Sequence, residues 1–470
     1  MKTPLITGAY QARSLIAAAQ RCINLYVEKA PEGEDFPTTH YPTPGLKQVG
    51  DSIFKGWRCL YTSTDGRLFG VVAQTAVEVL TDYTLKVLGS IASVGVPCHM
   101  LDNGTTIVIV DGTPAGYTID LATDAFAEIT DPAFYGSNGI DLVDGYFLFN
   151  RPDTQQFYIS LLNQVAFDAL DFASKSGAPD NLVTARATKR NVFLFGENTT
   201  EVWTNTGGSN FTFSRLSGAF IQFGCVTANS VAQADGSLYW LSRSPEGQAM
   251  ILRTVSYDRE RISTFALENE IQGYAKIDDA FGYVHQMMGH YWYVLTFPTA
   301  NKTWVYDVAS NEWHERAYLE ENGQFSRHRA ACFSLWRRKH VMGDYATGFL
   351  YEMDPDVYTD AGNEIRRIRS FPHMSDNGNR VMYHEFQGVM EPGKADEDAP
   401  NEVRLRYSDT QGESWSGYIS SSLGERGDHY KDVRWTRLGY ARSRVFEVSW
   451  SAAAKTALKG AFVRATPGKT

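Results

Sequence analysis

The sequence lacks any apolar run near the ~20 consecutive residues that a membrane-spanning helix needs. A typical maximum is Thr106-Ile-Val-Ile-Val110, which ends at Asp111. We therefore expect no membrane insertion. Residues 1–10 contain one Lys and no apolar core, so we expect no secretory signal either.

Cysteine and net positive charge are also scarce. Five cysteines stand far apart among 470 residues, without a C-x-x-C pair, which predicts reduced, buried thiols and excludes a disulfide framework or zinc site. The chain has 44 Lys and Arg against 54 Asp and Glu, a formal charge of −10. The charge is uneven, because residues 1–350 carry 27 basic and 36 acidic side chains and residues 431–470 carry nine and two.

Sequence patterns of catalytic sites are missing as well. H-E-x-x-H is absent, since Glu385 follows His384 but position 388 is Gly. The acidic stretch 354–364 could offer oxygens to calcium, yet its spacing is wrong for an EF-hand loop and a solvated turn is the preferred interpretation. We predict no catalytic, cofactor-binding or metal-binding residues.

The chain is rich in strand-forming and turn-forming residues. It has 40 Gly, 25 Tyr, 26 Phe and 10 Trp, with short alternating apolar runs between turns, which predicts an all-β fold. Helix is confined to two candidates. Strong helix formers over Ala12–Arg21 predict one short helix, and Arg261–Gln272 is a weaker second candidate.

One hairpin-like unit recurs seven times along the chain. Anchored on one apolar residue before each turn, the units fall at positions 71, 110, 148, 194, 241, 295 and 341. The spacing of roughly 40–50 residues matches the blades of a β-propeller, in which stacking buries both faces of each four-stranded sheet. We predict a propeller of six or seven blades.

The sequence pattern changes after about residue 360. Val403–Tyr407 and Phe446–Trp450 alternate apolar and polar residues, as half-buried strands of a sandwich do. We expect three regions: an N-terminal arm with a short helix at 1–50, the β-propeller at 51–355 and a C-terminal β-sandwich-like module at 365–470.

Within that module, Ser408-Asp-Thr-Gln-Gly-Glu-Ser-Trp415 is similar to an Asp-box hairpin turn, S-x-D-x-G-x-T-W. Thr410 stands where the Asp belongs, while Gly412 and Trp415 keep their places. The pattern predicts a structural turn, in which Gly412 supplies a positive φ and Trp415 packs beneath the hairpin.

Two basic groups are candidate contacts for DNA or a partner protein. A solvated strand end is the simpler interpretation of the first, because the chain is acidic overall. The groups are Arg337, Arg338 and Lys339 in the propeller region, and Arg366, Arg367 and Arg369 before the C-terminal module.

Several motifs together resemble one protein family. Arg21-Cys-Ile-Asn-Leu-Tyr-Val-Glu28 followed by Pro42-Thr-Pro-Gly-Leu46 is similar to the opening of the packaged-DNA stabilisation proteins, the tail hub or nozzle proteins of short-tailed bacteriophages. Further similarity lies in Gly196–Trp203, Val305–Trp313, the Asp-box-like turn, Arg434–Gly439 and Arg444–Glu447. These motifs follow one another in the same order as in the family, from about residue 20 to the end of the chain.

The resemblance implies a structural virion protein, located in the tail and assembled in the host cytoplasm. It implies a homo-oligomeric ring of six copies below the portal and its head-to-tail adaptor protein. That ring would retain packaged DNA, form the ejection channel for viral double-stranded DNA without sequence preference, and dock a tail needle or plug and tail fibres or tailspikes. No catalytic residue or cofactor is implied.

Two other classes of function stay open at this point. A propeller glycosidase or sialidase would need paired carboxylates in a deep axial pocket. A scaffold propeller would bind peptides through its loops.

Overall fold

Seven four-stranded antiparallel units follow one another through most of the chain, five as separate sheets and the last two as parts of larger sheets. The computed structural model describes residues 2–4, 8–208, 210–244, 246–391, 401–425, 427–428 and 431–468, with side chains from residue 8 onward. Seven apolar clusters each join one sheet to the next, and the last joins sheet seven to sheet one through Trp336 and Trp57. The sheets are therefore the blades of a closed seven-bladed β-propeller, which confirms the predicted fold class.

The strands of each blade run from the propeller axis outward. Their bounds are Trp57–Thr62, Leu68–Val72, Thr75–Val79 and Leu85–Ser90 in blade 1; His99–Asp102, Thr106–Val110, Gly116–Asp120 and Phe126–Glu128 in blade 2; Ile140–Val143, Tyr146–Asn150, Gln156–Ser160 and Phe167–Ser174 in blade 3; and Leu182–Thr188, Asn191–Gly196, Thr200–Asn205 and Phe213–Ile221 in blade 4. Blade 5 has Ala232–Ala234, Ser237–Arg243, Ala249–Val255 and Asp258–Arg261; blade 6 has Phe281–Met287, His290–Phe297, Lys302–Asp307 and Glu312–Glu315; blade 7 has Ala330–Trp336, Lys339–Asp344, Leu350–Asp354 and Gly45–Gly50.

The seven predicted hairpins coincide with the second and third strands of the seven blades. These strands are apolar on both faces because each blade lies between two neighbours. In blade 2, Ile107 and Ile109 pack toward blade 1, whereas Val108 and Val110 pack toward blade 3. The units that recur in the sequence are thus the buried second and third strands of the blades.

The N-terminal region does not form an arm of its own. Gly45–Gly50 pairs with Leu350–Asp354 as the outermost strand of blade 7. Leu25–Lys29 and Thr38–Pro42 pair with each other and extend a sheet of the C-terminal module. Residues 22–50 therefore complete both large units of the fold.

The predicted helix over Ala12–Arg21 is wrong. Tyr10–Gln11 pairs with Ala19–Gln20, and the Ala12 amide donates to the Ala18 carbonyl, so this stretch is a hairpin of turns. Tertiary packing overrides the local helix preference of these residues. The second candidate is confirmed as helix Phe265–Gln272, whose first turn is capped by the Thr264 hydroxyl accepting from Leu267 N. One 3-10 turn spans Ala228–Ser230.

The C-terminal module is a β-sandwich with an apolar core between two sheets. One sheet has the order Val433–Ala441, Val381–Met390, Leu458–Pro467, Thr38–Pro42 and Leu25–Lys29, with Lys2–Pro4 also paired to Leu458–Pro467. The other continues from the outer strand of blade 6 through Cys22–Ile23, Arg367–Ser370, Ser443–Trp450, Glu402–Ser408 and Ile419–Ser422, with Met374–Ser375 paired to Ser443–Trp450.

Two short strand pairs complete the fold. Ala317–Leu319 pairs with Phe325–Arg327 in the connection from blade 6 to blade 7, and Thr359–Asp360 pairs with Asn363–Glu364 beside blade 7. Thr359–Asp360 also pairs with Gly45–Gly50. The segment that connects the propeller to the sandwich is therefore paired with the outermost strand of blade 7.

Candidate functional site

The turns between the first and second strands of all blades lie on one face of the propeller, here called the first-turn face. Hydrogen bonds join neighbouring turns on it. Trp336 Nε1 of blade 7 donates to Gly66 O of blade 1 at 3.0 Å, and Arg190 Nε of blade 4 donates to Asp144 Oδ1 of blade 3 at 3.0 Å. Two pairs of neighbouring turns on this face are therefore linked to each other.

The basic triplet Arg337, Arg338 and Lys339 lies on this face. Arg337 and Arg338 occupy the centre of the blade 7 turn with φ of 52° and 64°, where Asn-Gly is the usual pair. The left-handed conformation costs an ordinary residue ~1–2 kcal/mol. Two arginines thus occupy a turn that glycine would form with less strain.

The three side chains differ in their surroundings. Lys339 Nζ is 2.9 Å from Glu352 Oε2, and the Arg337 guanidinium lies 5.3 Å from the Trp336 ring. Among the described residues, no carboxylate oxygen lies within 4 Å of the Arg337 or Arg338 guanidinium. Arg338 is therefore an exposed cation that has no ion-pair partner among the described residues.

A second dibasic turn escaped the sequence analysis. Lys189 and Arg190 form the corresponding turn of blade 4, with φ of 49° and 64°. Arg190 Nη2 is 2.9 Å from Asp144 Oδ1, and this hydrogen-bonded pairing raises the pKa of the arginine. The available signal was two adjacent basic residues directly before a repeated apolar strand.

The second predicted basic group needs a correction. Arg367 and Arg369 are both 0% exposed, so neither can contact DNA or a partner from the surface of this chain. Arg367 Nη1 donates to Ala452 O at 2.8 Å, and burial lowers its pKa to about 10. Arg366 is half-buried, with its Nη2 2.8 Å from Glu364 Oε1.

Arg369 joins three distant parts of the chain. Its Nη1 donates to Gly8 O at 2.6 Å and to Arg21 O at 3.3 Å, and its Nη2 donates to Gln20 Oε1 at 3.0 Å. Burial lowers the pKa of the guanidinium. Arg369 therefore fixes the N-terminal hairpin to the sandwich.

Polar side chains cross the centre of the propeller. Arg186 of blade 4 donates from Nη1 to Ile140 O of blade 3 at 2.7 Å, and its Nη2 lies 3.2 Å from His99 Nδ1 of blade 2. His99 Nε2 is 2.9 Å from Asn229 Oδ1, just before blade 5. Desolvation and the Arg186 cation lower the pKa of His99 to about 3. These side chains span the axis from blade 2 to blade 5.

The Asp-box-like turn has the predicted conformation. Gly412 has a φ of 104°, and its amide donates to Ser408 Oγ at 2.8 Å. Thr410 supplies the acceptor that Asp provides in the full motif, since its Oγ1 accepts from Ser414 N at 2.8 Å. Trp415 is only half-buried, with the Arg406 guanidinium 4.6 Å from its ring.

This geometry gives a prediction for the turn. Trp415→Ala should lower the free energy of unfolding by roughly 1–2 kcal/mol, less than the ~3–5 kcal/mol of a fully buried tryptophan. Thr410→Ala should cost about 1 kcal/mol, because the Ser414 amide loses its acceptor. Thermal melts of both variants measure this, with Glu413→Ala as the exposed control in the same turn. A Thr410→Ala melt equal to that of the control would show that its hydrogen bonds contribute nothing.

Metal-binding clusters and membrane-spanning helices are absent from the described ranges. No three His, Cys, Asp or Glu side chains there are grouped so as to hold a metal ion. No helix described by the structure is long and apolar enough to cross a membrane.

Comparison with known families identifies the propeller. The family model described as bacteriophage P22 Gp10, β-propeller, matches residues 1–358. The chain belongs to this family. It is thus a phage structural tail protein by family, in agreement with the resemblance found in its motifs. In this family member the match ends just after blade 7 and leaves most of the C-terminal sandwich outside.

Solved structures resemble the chain only in architecture. The N-terminal domain of Nup159 is 10% identical, and the alignment covers 71% of this chain and 99% of that one with a TM-score of 0.41. The RRP9 WD40 repeats are 9% identical, with coverage of 67% and 99% and a TM-score of 0.42. No curated protein matches the chain.

Proposed function

We propose that this chain is the tail hub, or nozzle, subunit of a short-tailed phage. Six copies form a ring below the portal and the head-to-tail adaptor protein, retain the packaged DNA and enclose its ejection channel. The family match over residues 1–358 carries this proposal. The remaining partners are a tail needle or plug and tail fibres or tailspikes, which dock on exposed loops of the rigid propeller.

The crossed axis of the propeller supports a particular path for DNA. Because Arg186, His99 and Asn229 bridge the centre of one chain, a duplex has no passage through a single propeller. We infer that the channel is the lumen enclosed by several copies. Its lining is then the outer surface of the subunits.

The acidic charge supports retention by a plug over retention by affinity. Each chain carries a formal −10, so six copies carry about −60, and a field of that sign repels a duplex. Each Lys or Arg contact to phosphate adds affinity and salt dependence, which would hinder sliding. An acidic lumen lets DNA move once the plug is released.

Subunit stoichiometry tests the proposal. We expect native mass measurement of the purified tail complex to give six copies of this chain, because rings of identical subunits close by rotational symmetry. The isolated chain serves as the reference, since the adaptor is expected to nucleate the ring. A count incompatible with six-fold symmetry would contradict the hexameric ring.

A further inference from the structure

Several polar side chains are buried at the interface between blades 6 and 7. The face of blade 6 that packs on blade 7 carries buried groups from all four strands or their ends, among them His285, Trp292, His314 and Arg316. These groups lie beside the apolar cluster that joins blade 6 to blade 7, to which Trp292 itself belongs. A polar blade interface needs its own explanation, because buried polar groups are costly unless they are paired.

Arg316 lies at the centre of this polar group. Its side chain is fully buried, with 1% of the residue exposed. The guanidinium lies 4.7 Å from the Trp292 ring, and its Nη1 is 3.2 Å from His285 Nε2. Nε and Nη2 have no acceptor on the protein, and no carboxylate of the described residues lies within 4 Å. Burial lowers the pKa to about 10, so Arg316 stays charged at neutral pH.

The groups around Arg316 are mostly donors without an acceptor. Trp292 Nε1 and the Tyr283 hydroxyl are buried and unpartnered, as are Nδ1 of His285 and Nδ1 of His328. Because His285 Nε2 faces an arginine donor, its proton is assigned to Nδ1. Burial and the Arg316 cation lower the pKa of His328 to about 3 and that of His285 well below its usual value. Both rings are neutral, and Arg316 is the cation of the group.

The nearest acidic side chains leave this charge unpaired. The negative charges of Asp307 and Asp360 raise the pKa of Arg316 without contacting its guanidinium. Asp307 Oδ2 is 2.8 Å from His290 Nδ1, and it also accepts from Ser310 Oγ at 2.9 Å. Burial raises the pKa of Asp360 to about 7, so this carboxyl is only partly ionised at neutral pH.

We propose that Arg316, with the indole N–H of Trp292 and the Tyr283 hydroxyl, binds a small monovalent anion, chloride in ordinary solutions. An anion supplies both the missing acceptor and the missing charge, whereas water supplies the acceptor alone. Orphaned buried donors are rare in folded proteins, and an unpaired buried charge is costly. The anion holds blade 6 against blade 7, where Gly45–Gly50 closes the propeller. This site is independent of the proposed role in the phage tail.

A cavity lies beside the site and is separated from Arg316 by His285. It has a volume of about 540 Å³, and its lining includes His285, Phe333, His340 and Arg338. His285 contacts Arg316 directly, while Arg338 is the exposed cation of the first-turn face. The cavity therefore reaches the residue beside Arg316, whereas Arg338 lies outside the proposed ligand set.

Melting temperatures of the full chain test the proposal. Millimolar sodium chloride or bromide should raise the melting temperature by a few degrees and then saturate, relative to sodium gluconate at the same ionic strength. Arg316→Met should abolish this difference. Arg338→Met, the control in the same cavity, should keep it, because the control cation lies outside the proposed ligand set.

Diffraction keeps the proposal testable even if Arg316→Met does not fold. Crystals of the natural sequence grown with bromide should show an anomalous peak beside the Arg316 guanidinium. Equal melting temperatures in chloride and gluconate would overturn the proposal, since water alone then satisfies the donors. A halide effect that persists in Arg316→Met, or bromide found only elsewhere, would overturn it equally.

Discussion

Arg369→Met is expected to lower the free energy of unfolding by roughly 3–5 kcal/mol, because it removes a buried cation from its partners. Methionine has a similar length and fills the same space, yet it cannot donate to Gly8 O, Arg21 O or Gln20 Oε1. Gly8 O would stay buried without this donor, whereas Arg21 O keeps the Ser370 amide and Gln20 is half-buried. Urea denaturation of the full chain, followed by far-ultraviolet circular dichroism, measures the loss.

Arg366→Met is the matched control. Arg366 stands three positions earlier and is half-buried, so its substitution should change stability by no more than about 0.5 kcal/mol. If both variants were equally stable and Arg369→Met instead weakened DNA binding, the assignment of Arg369 to the fold would be wrong. The same pair of variants therefore separates a structural arginine from a DNA contact.

Virions assembled without this protein are expected to package DNA and then lose it. Under the proposed function the ring and its plug close the exit of the head, so their absence leaves the pressurised genome unretained. Release of DNA from purified particles, measured by nuclease sensitivity, gives the result. Stable retention in such particles would contradict a role in holding the genome.

Particles carrying Arg337→Ala, Arg338→Ala and Lys339→Ala together should still hold their DNA. Under the proposed function the ring holds the genome by closure, so the isolated chain should bind duplex DNA weakly and without sequence preference. Nanomolar duplex affinity at physiological salt would contradict this, as would leakage from the triple variant despite normal ring assembly. Native mass measurement of the variant tail provides the assembly control.

The repeat could be predicted from the sequence because each blade carries the same local signal. Runs such as Ile107–Val110 are apolar on both faces of the blade. The turn that follows each run is formed by the next residues in the sequence. Of the two dibasic turns on the first-turn face, only one was predicted. Arg337 and Arg338 stand beside a third basic residue, whereas Lys189 and Arg190 do not. Local patterns thus give strands, turns and blade spacing.

Contacts between distant residues could not be predicted in this way. Ala12–Arg21 has helix-forming residues, but Gly8 and Gln20 are held by Arg369, more than 340 positions later. An arginine in the sequence looks the same whether it faces solvent or backbone carbonyls. The axial bridge of Arg186, His99 and Asn229 likewise joins three separate blades, so no single stretch of sequence indicates it.

The closure of blade 7 has a consequence for biosynthesis. Gly50 pairs with Leu350, 300 positions later, and Thr38–Pro42 pairs with Leu458–Pro467 near the end of the chain. During translation Leu25–Lys29 and Thr38–Pro42 can pair with each other, but Gly45–Gly50 has no partner strand until blade 7 has left the ribosome. Blades 1 to 5 are made of consecutive strands and can form meanwhile, while the waiting strands expose unpaired edges. Ring closure therefore depends on pairing between residues 300 positions apart, and pairing over such a separation is slow.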